Sequence, residues 1–161
     1  MRILVTGGGG AASEALRRLW QGPHDVHFAD ADPHVRPAGV PAEAWHQIPF
    51  ASAPDFISVL SSRLRELQID LLVPGVDEEL ERIAEHREEF PARVLVPDAA
   101  FVATHLDKLA SHRALATASL PTPATSLYDE SASFPSVIKP RRGRGSRDVR
   151  LVRSRDEARA H

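Results

Sequence analysis

The first twenty residues of the chain do most to limit what it can fold into. Arg2-Ile3-Leu4-Val5-Thr6 is an unbroken apolar run rich in Ile, Leu and Val, and four glycines, Gly7 to Gly10, follow it at once. A strand with one solvated face would alternate polar and apolar residues, whereas a continuous run fits a strand covered on both faces, as in parallel sheets. Ala12, Leu16, Leu19 and Trp20 then recur at helical spacing, and Gly22-Pro23 ends the pattern. A strand, a tight glycine turn and a helix in immediate succession predict a parallel sheet with helical crossovers.

The rest of the first hundred residues repeats this alternation. Asp25 to Asp30 reads as a second strand, and a weak third lies near Trp45 to Pro49 within a stretch rich in proline and alanine. Asp55 to Leu67 is amphipathic through Phe56, Val59, Leu60, Leu64 and Leu67. Ile69 to Val73 is the next strand. Asp77 to Phe90 follows as an acidic helix with Leu80, Ile83, Ala84 and Arg87 on one stripe, and Val94 to Val96 closes the series before Pro97. The expectation is an α/β fold built on a doubly wound parallel sheet, occupying residues 1–97.

A second unit is expected over residues 98–161. Asp98 to His105 and Lys108 to Ala118 have helical character, Ala124 to Leu127 and Ser136 to Lys139 read as strands around a polar loop, and Asp148 to Val152 is a further strand. Ser154 with Glu157 forms a capping-box pattern that opens a last helix. A natural domain rarely stops in the first two turns of a helix, so this reading predicts a truncated chain.

Composition removes several function classes. With no cysteine, the chain has no disulfide, thiolate metal site or cysteine nucleophile. The eight histidines show no metal-ligand spacing on a shared element, and no Ser/His/Asp set can be assembled. The apolar start is too short for a signal peptide, and no run approaches the ~18 residues that span a bilayer, so a cytoplasmic protein without membrane contact is expected. Charge is strongly polarised. Residues 1–138 carry 11 basic against 19 acidic side chains, and residues 139–161 carry 9 against 3. A basic end of this kind suits an anionic partner, either polyphosphate or nucleic acid.

Two glycine-bearing turns compete as phosphate sites. Gly7, Gly9 and Ala12 match the G-x-G-x-x-G/A pattern, with Asp30 and Asp32 about twenty residues further on, as a dinucleotide site would require. Any tight strand-to-helix turn in such a sheet also favours glycine. A simple reductase would need a Y-x-x-x-K pair, but Tyr128, the only tyrosine, is followed by Ala132 at that spacing. The second turn is Val137-Ile138-Lys139-Pro140-Arg141-Arg142-Gly143-Arg144-Gly145-Ser146, in which a strand delivers a lysine straight into a glycine/serine loop. A lysine supplies a compact charge for a phosphate oxygen, and glycines let backbone N–H groups close over a polyphosphate. No Walker motif is present. Of 20 basic residues only Lys108 and Lys139 are lysines, in a chain that otherwise uses arginine throughout.

Both lysines fall in a pattern that resembles the entrance to the ATP-grasp superfamily, and in particular proteins similar to the large subunit of carbamoyl-phosphate synthase. There an aspartate–lysine pair opens a helix, here Asp107-Lys108; a proline turn follows, here Leu120-Pro121-Thr122-Pro123; and a strand ends in I-K-P, here Ile138-Lys139-Pro140. The opening strand and glycine turn fit the Rossmann-like lead-in domain of such enzymes, so the resemblance covers nearly the whole chain and is most specific over residues 106–149. It implies a Rossmann-like pre-ATP-grasp domain followed by the incomplete first subdomain of an ATP-grasp fold.

The resemblance further implies an ATP-dependent carboxylate–amine ligase that works through an acyl phosphate, with ATP and a small carboxylate or amine as partners. Lys108 and Lys139 would contact ATP phosphates, Arg141 would neutralise phosphate charge, and Gly143, Gly145 and Ser146 would form a phosphate lid. Asp77 and Glu78, with Gly7 and Gly9, are second-tier candidates. Mg²⁺ is expected too, but its ligands in the family lie late in the domain and include an asparagine, a residue this chain lacks. They would belong to a downstream part of at least about 100–150 residues. The catalytic residues stay unknown, and the 161 residues alone are expected to be inactive, whether as a fragment, a split subunit or a decayed remnant; a homo-oligomer or a partner subunit is the expected protein partner. Many relatives have glycine where this chain has Asp148, and a carboxylate pointing inward there would repel phosphate. The rival readings are an NAD(P)-binding protein and a nucleic-acid-binding module.

Overall fold

The structure, a computed structural model, describes residues 1–20, 22–129 and 131–161. The chain divides into two compact units, Met1–Ala99 and Ala100–His161.

The first unit is a five-stranded, all-parallel sheet in the order β3-β2-β1-β4-β5: β1 Arg2–Thr6, β2 Asp25–Asp30, β3 Trp45–Gln47, β4 Leu71–Val73 and β5 Arg93–Val94. Its crossovers carry α1 (Ala11–Trp20), α2 (Phe56–Glu66) and α3 (Asp77–Glu85). The central strand β1 has the most continuous apolar run, and Ile3, Leu4 and Val5 are almost fully buried. Phe28 and Leu72 on the neighbouring strands and Phe56, Leu60 and Leu64 on α2 complete the core. At about 1.5–3 kcal/mol for each fully buried large apolar side chain, this sheet–helix layer is the main stabilising element of the unit.

Two helices meet the core differently from the pattern read in the sequence. On α1, Leu19 is 73% exposed and Ala12 lies at the surface, while Ser13 is buried. Its contribution to the core is Leu16 with Trp20. On α2 the buried stripe is Phe56, Ile57, Leu60, Ser61 and Leu64: Ile57 and Ser61 are buried where Val59 and Leu67 are expected, both of which are half-buried, and the Ser61 hydroxyl donates to the Glu89 carbonyl at 3.2 Å. The acidic helix stops at Glu85 and continues as a short 3₁₀ turn over Arg87–Glu89.

The second unit holds α4 (Ala99–Leu106, whose first residue belongs to the other unit), α5 (Lys108–Thr117), an antiparallel pair β6 (Ser136–Ile138) and β7 (Arg150–Val152), and α6 (Arg155–Arg159). Ser154 caps α6 by accepting from the Glu157 N–H, and the Glu157 carboxylate returns to the Arg153 N–H, one residue earlier than the usual box. The strand expected over Ala124 to Leu127 does not form. Pro121 and Pro123 remove ladder donors just before it, the Thr125 hydroxyl turns back onto the Pro123 carbonyl at 3.0 Å, and no neighbouring strand pairs with the segment among the described residues. In the polar loop that follows, Glu130 lies outside the described residues. No helix among the described residues is long and apolar enough to cross a membrane.

Candidate functional site

In open parallel sheets, ligands usually sit beyond the strand C-termini where the strand order reverses, here between β1 and β4. The chain closes that place with its own atoms. The Gly7 backbone is left-handed (φ 63°), and a Cβ there would lie 3.2 Å from Val76 Cγ1. A Cβ on Gly75 would lie 2.1 Å from the Thr6 carbonyl oxygen, so the two chain segments touch backbone to backbone. Over Gly9, a Cβ would fall 2.3 Å from Val35 Cγ2.

The donors of this turn are also taken. The Gly8 N–H donates to the Ala29 carbonyl, Gly10 to Gly7, and Gly9 to the Asp30 carboxylate at 3.0 Å. Asp30, the acidic residue expected to hold a ribose, therefore caps the glycine turn, and its other oxygen accepts from Asp32 N–H. This arrangement leaves Gly8, Gly9 and Gly10 without an N–H for a pyrophosphate.

Beside the turn lies a polar chain that the sequence reading missed. The Gly75 N–H donates to the Thr6 hydroxyl at 3.1 Å, and that hydroxyl donates to the buried Glu79 carboxylate. The signal available was a lone hydroxyl ending an apolar strand, together with the third of three acids at the start of α3. Asp77 and Glu78 head the same helix, where negative charge complements the helix dipole. Asp77 is half-buried and Glu78 exposed.

The second unit builds a different kind of site. β6 ends at Ile138 and places Lys139 at the start of a loop that is exposed from Arg141 through Leu151. Four of its residues adopt left-handed backbone: Gly143 (φ 122°), Gly145 (φ 65°), Ser146 (φ 56°) and Asp148 (φ 54°). Alternation of left- and right-handed residues is the backbone pattern that turns successive N–H groups toward an anion; here Gly145 and Ser146 are both left-handed, and the Arg147 and Val149 N–H groups donate to the Arg144 and Ser146 carbonyls. Next to it is an open pocket of ≈ 560 Å³ lined in part by Lys139, Pro140, Asp148, Arg150 and His161. Two cations thus share the pocket with one carboxylate, Asp148, and the His161 ring N–H donates to the Asp148 carbonyl at 3.0 Å.

Lys108 meets the same loop from α5. Its backbone N–H donates to the Arg141 carbonyl at 2.9 Å and its ammonium to the Gly143 carbonyl at 2.8 Å. Arg141 forks onto the Asp107 carboxylate, one contact being 3.2 Å from Nε to Oδ1. That guanidinium draws the Asp107 carboxyl down to about 2, helped by the N–H groups of Ala110 and Leu109. The structure therefore ties Lys108 to Arg141 and Gly143, two and four residues after Lys139, and puts Lys139 itself in the pocket. Gly145 and Ser146 lie further along the loop, outside the pocket lining. Among the described residues, no cluster of three His, Asp or Glu side chains is placed to hold a metal ion.

A parallel sheet in the order 3-2-1-4-5 is thus followed by two helices and by an antiparallel pair whose strands are joined by a lysine-led glycine loop. Residues 3–96 match the family model of the PylC-like N-terminal domain, and the chain belongs to that family. Among solved structures, an L-amino acid ligase from Bacillus licheniformis superposes with a TM-score of 0.72 at 19% identity, over 99% of this chain and 40% of that one. The N5-carboxyaminoimidazole ribonucleotide synthetase of Thermotoga maritima gives 0.62 at 19% identity, over 99% and 43%. Rhizobium etli pyruvate carboxylase gives 0.61 at 16% identity, over 97% and 16%. The chain thus spans about two fifths of the length of the first two. No curated protein sequence matches it. The superfamily and fold expected from the sequence stand.

Proposed function

We propose that this chain is the N-terminal, ATP-binding portion of an ATP-dependent carboxylate–amine ligase. The observation that carries the reading is Lys139, set by β6 at the mouth of an exposed glycine-bearing loop with four left-handed residues, to which Lys108 is bonded at the Gly143 carbonyl. Two ammonium groups beside such a loop suit a polyphosphate better than a single phosphate. ATP supplies the phosphoryl group that activates a carboxylate toward an amine. The residues of this chain bind and orient that polyphosphate, while Asp148 opposes the cations in the pocket and limits affinity.

The structural likeness to an L-amino acid ligase and to a ribonucleotide synthetase supports the general reaction class. The narrower likeness to carbamoyl-phosphate synthase rests on residues 106–149. Mg²⁺ belongs to that chemistry, but the described residues offer it no ligand set. The dinucleotide reading loses ground because the N–H groups of Gly8 to Gly10 already have partners.

A nucleotide series tests the proposal. Affinity should fall several-fold at each step from ATP to ADP to AMP, since the grip is on phosphate. Equal binding of AMP and ATP would remove the basis for the reading.

A further inference from the structure

We infer that Asp107 is a positioning residue: through Arg141 it tethers the loop after Lys139 to the start of α5, and so holds that loop ordered before any ligand arrives. Its purpose, though not its geometry, rests on the phosphate-binding reading above.

The Asp107 carboxylate does two jobs at once. Oδ1 accepts from the N–H groups of Leu109 at 2.9 Å and Ala110 at 3.2 Å, which caps α5. The same carboxylate accepts the fork of Arg141, thirty-four residues later. Residue 108 adds two more ties, backbone to Arg141 and ammonium to Gly143. Two consecutive residues therefore anchor two positions, Arg141 and Gly143, of a loop that is otherwise solvent-exposed. Asp107 is only 13% exposed, against 54% for the arginine, so the fixed partner is the aspartate at the helix end and the held partner is the loop.

This changes the role of Arg141. A guanidinium neutralised by a carboxylate is poorly placed to offset phosphate charge, so Arg141 serves as the tether and not as a phosphate ligand. Lys108 is different. Its bond to a neutral carbonyl can be exchanged for a phosphate oxygen without leaving a charge unpaired, and the Asp107–Arg141 fork keeps the loop in place during that exchange. Ordering the loop beforehand removes part of the entropic cost of binding.

Asp107→Asn isolates the tether, because asparagine caps a helix about as well as aspartate but lacks the charge. Limited trypsin digestion of the whole chain, with cleavage after Arg142 and Arg144 followed by mass spectrometry, reads the loop directly. Asp107→Asn and Arg141→Gln should each speed that cleavage at least about five-fold while the melting temperature stays within about 2 °C of wild type. The double variant should gain nothing further, and Arg141→Lys should recover part of the protection. ATP affinity should weaken several-fold in Asp107→Asn.

Wild-type cleavage rates in either single variant, or additive gains in the double, overturn the tether. Faster, non-additive cleavage establishes it even if ATP fails to bind the wild-type chain, a result that would count against the phosphate reading alone.

Discussion

Replacing Thr6 by valine removes one hydroxyl from the centre of the first unit and leaves its volume almost unchanged. In the structure that hydroxyl is fully buried, accepts from the Gly75 N–H at 3.1 Å and donates to the Glu79 carboxylate, itself 4% exposed. Gly75 is exposed, so water can replace its lost acceptor at a cost of about 1 kcal/mol, whereas the buried carboxylate loses a charge-assisted donor worth about 2–3 kcal/mol. Thr6→Val should therefore destabilise the unit by roughly 3 kcal/mol, and at about 4–8 °C per kcal/mol for a unit of this size, Met1–Ala99, its melting temperature should drop by roughly 12–24 °C. Thr6→Ser keeps the hydroxyl and sheds a methyl group, so about 1 kcal/mol is expected. Trp20 and Trp45 pack against the core of this unit, and their fluorescence reports its unfolding. Melting of Thr6→Val within about 2 °C of wild type would refute the reasoning. So would equal losses in the serine and valine variants.

Other perturbations bear on the rest of the structure. Asp148→Gly relieves a left-handed non-glycine residue (φ 54°) and removes the carboxylate from the Lys139 pocket, so ATP affinity should rise several-fold in a calorimetric titration. Leu60→Ala, at a fully buried position, should cost about 2–5 kcal/mol in urea unfolding. Burial, then the neighbouring His27 and Arg63, pushes His46 down from 6.5 to about 4. The unfolded chain therefore takes up the proton first as pH falls. Stability should be full above pH ~6.5 and decline toward pH ~4, by on the order of 1–2 kcal/mol after solvent screening, and His46→Gln should flatten that decline.

What could be read from the sequence follows from how local each signal was. β1, β2 and α1 have the limits their apolar runs and glycines predict, because strand burial and helix ends are written in neighbouring residues. The Ala124–Leu127 segment looked like a strand by composition alone and lacked a partner, which no local pattern reveals. Leu19 has the helical spacing of a core residue and yet faces outward, since the sheet beneath α1 reaches only Leu16 and Trp20.

Long-range pairings stayed hidden in the site as well. Lys108 and Lys139 stood out by residue type, but nothing in the sequence ties Arg141 to Asp107 thirty-four residues away, or Thr6 to Glu79 across seventy-three. In the same way, Val35 and Asp30 fill a glycine turn that reads in sequence as an open phosphate cradle.

Titration of ATP into the chain and into its Lys139→Ala variant tests the central claim most directly. Lys139 is exposed and leads the loop, so its removal should leave the melting temperature unchanged and weaken ATP binding at least ~10-fold, equivalent to about 1.4 kcal/mol. Equal affinity in the two proteins would contradict the account and take the phosphate site away from this loop.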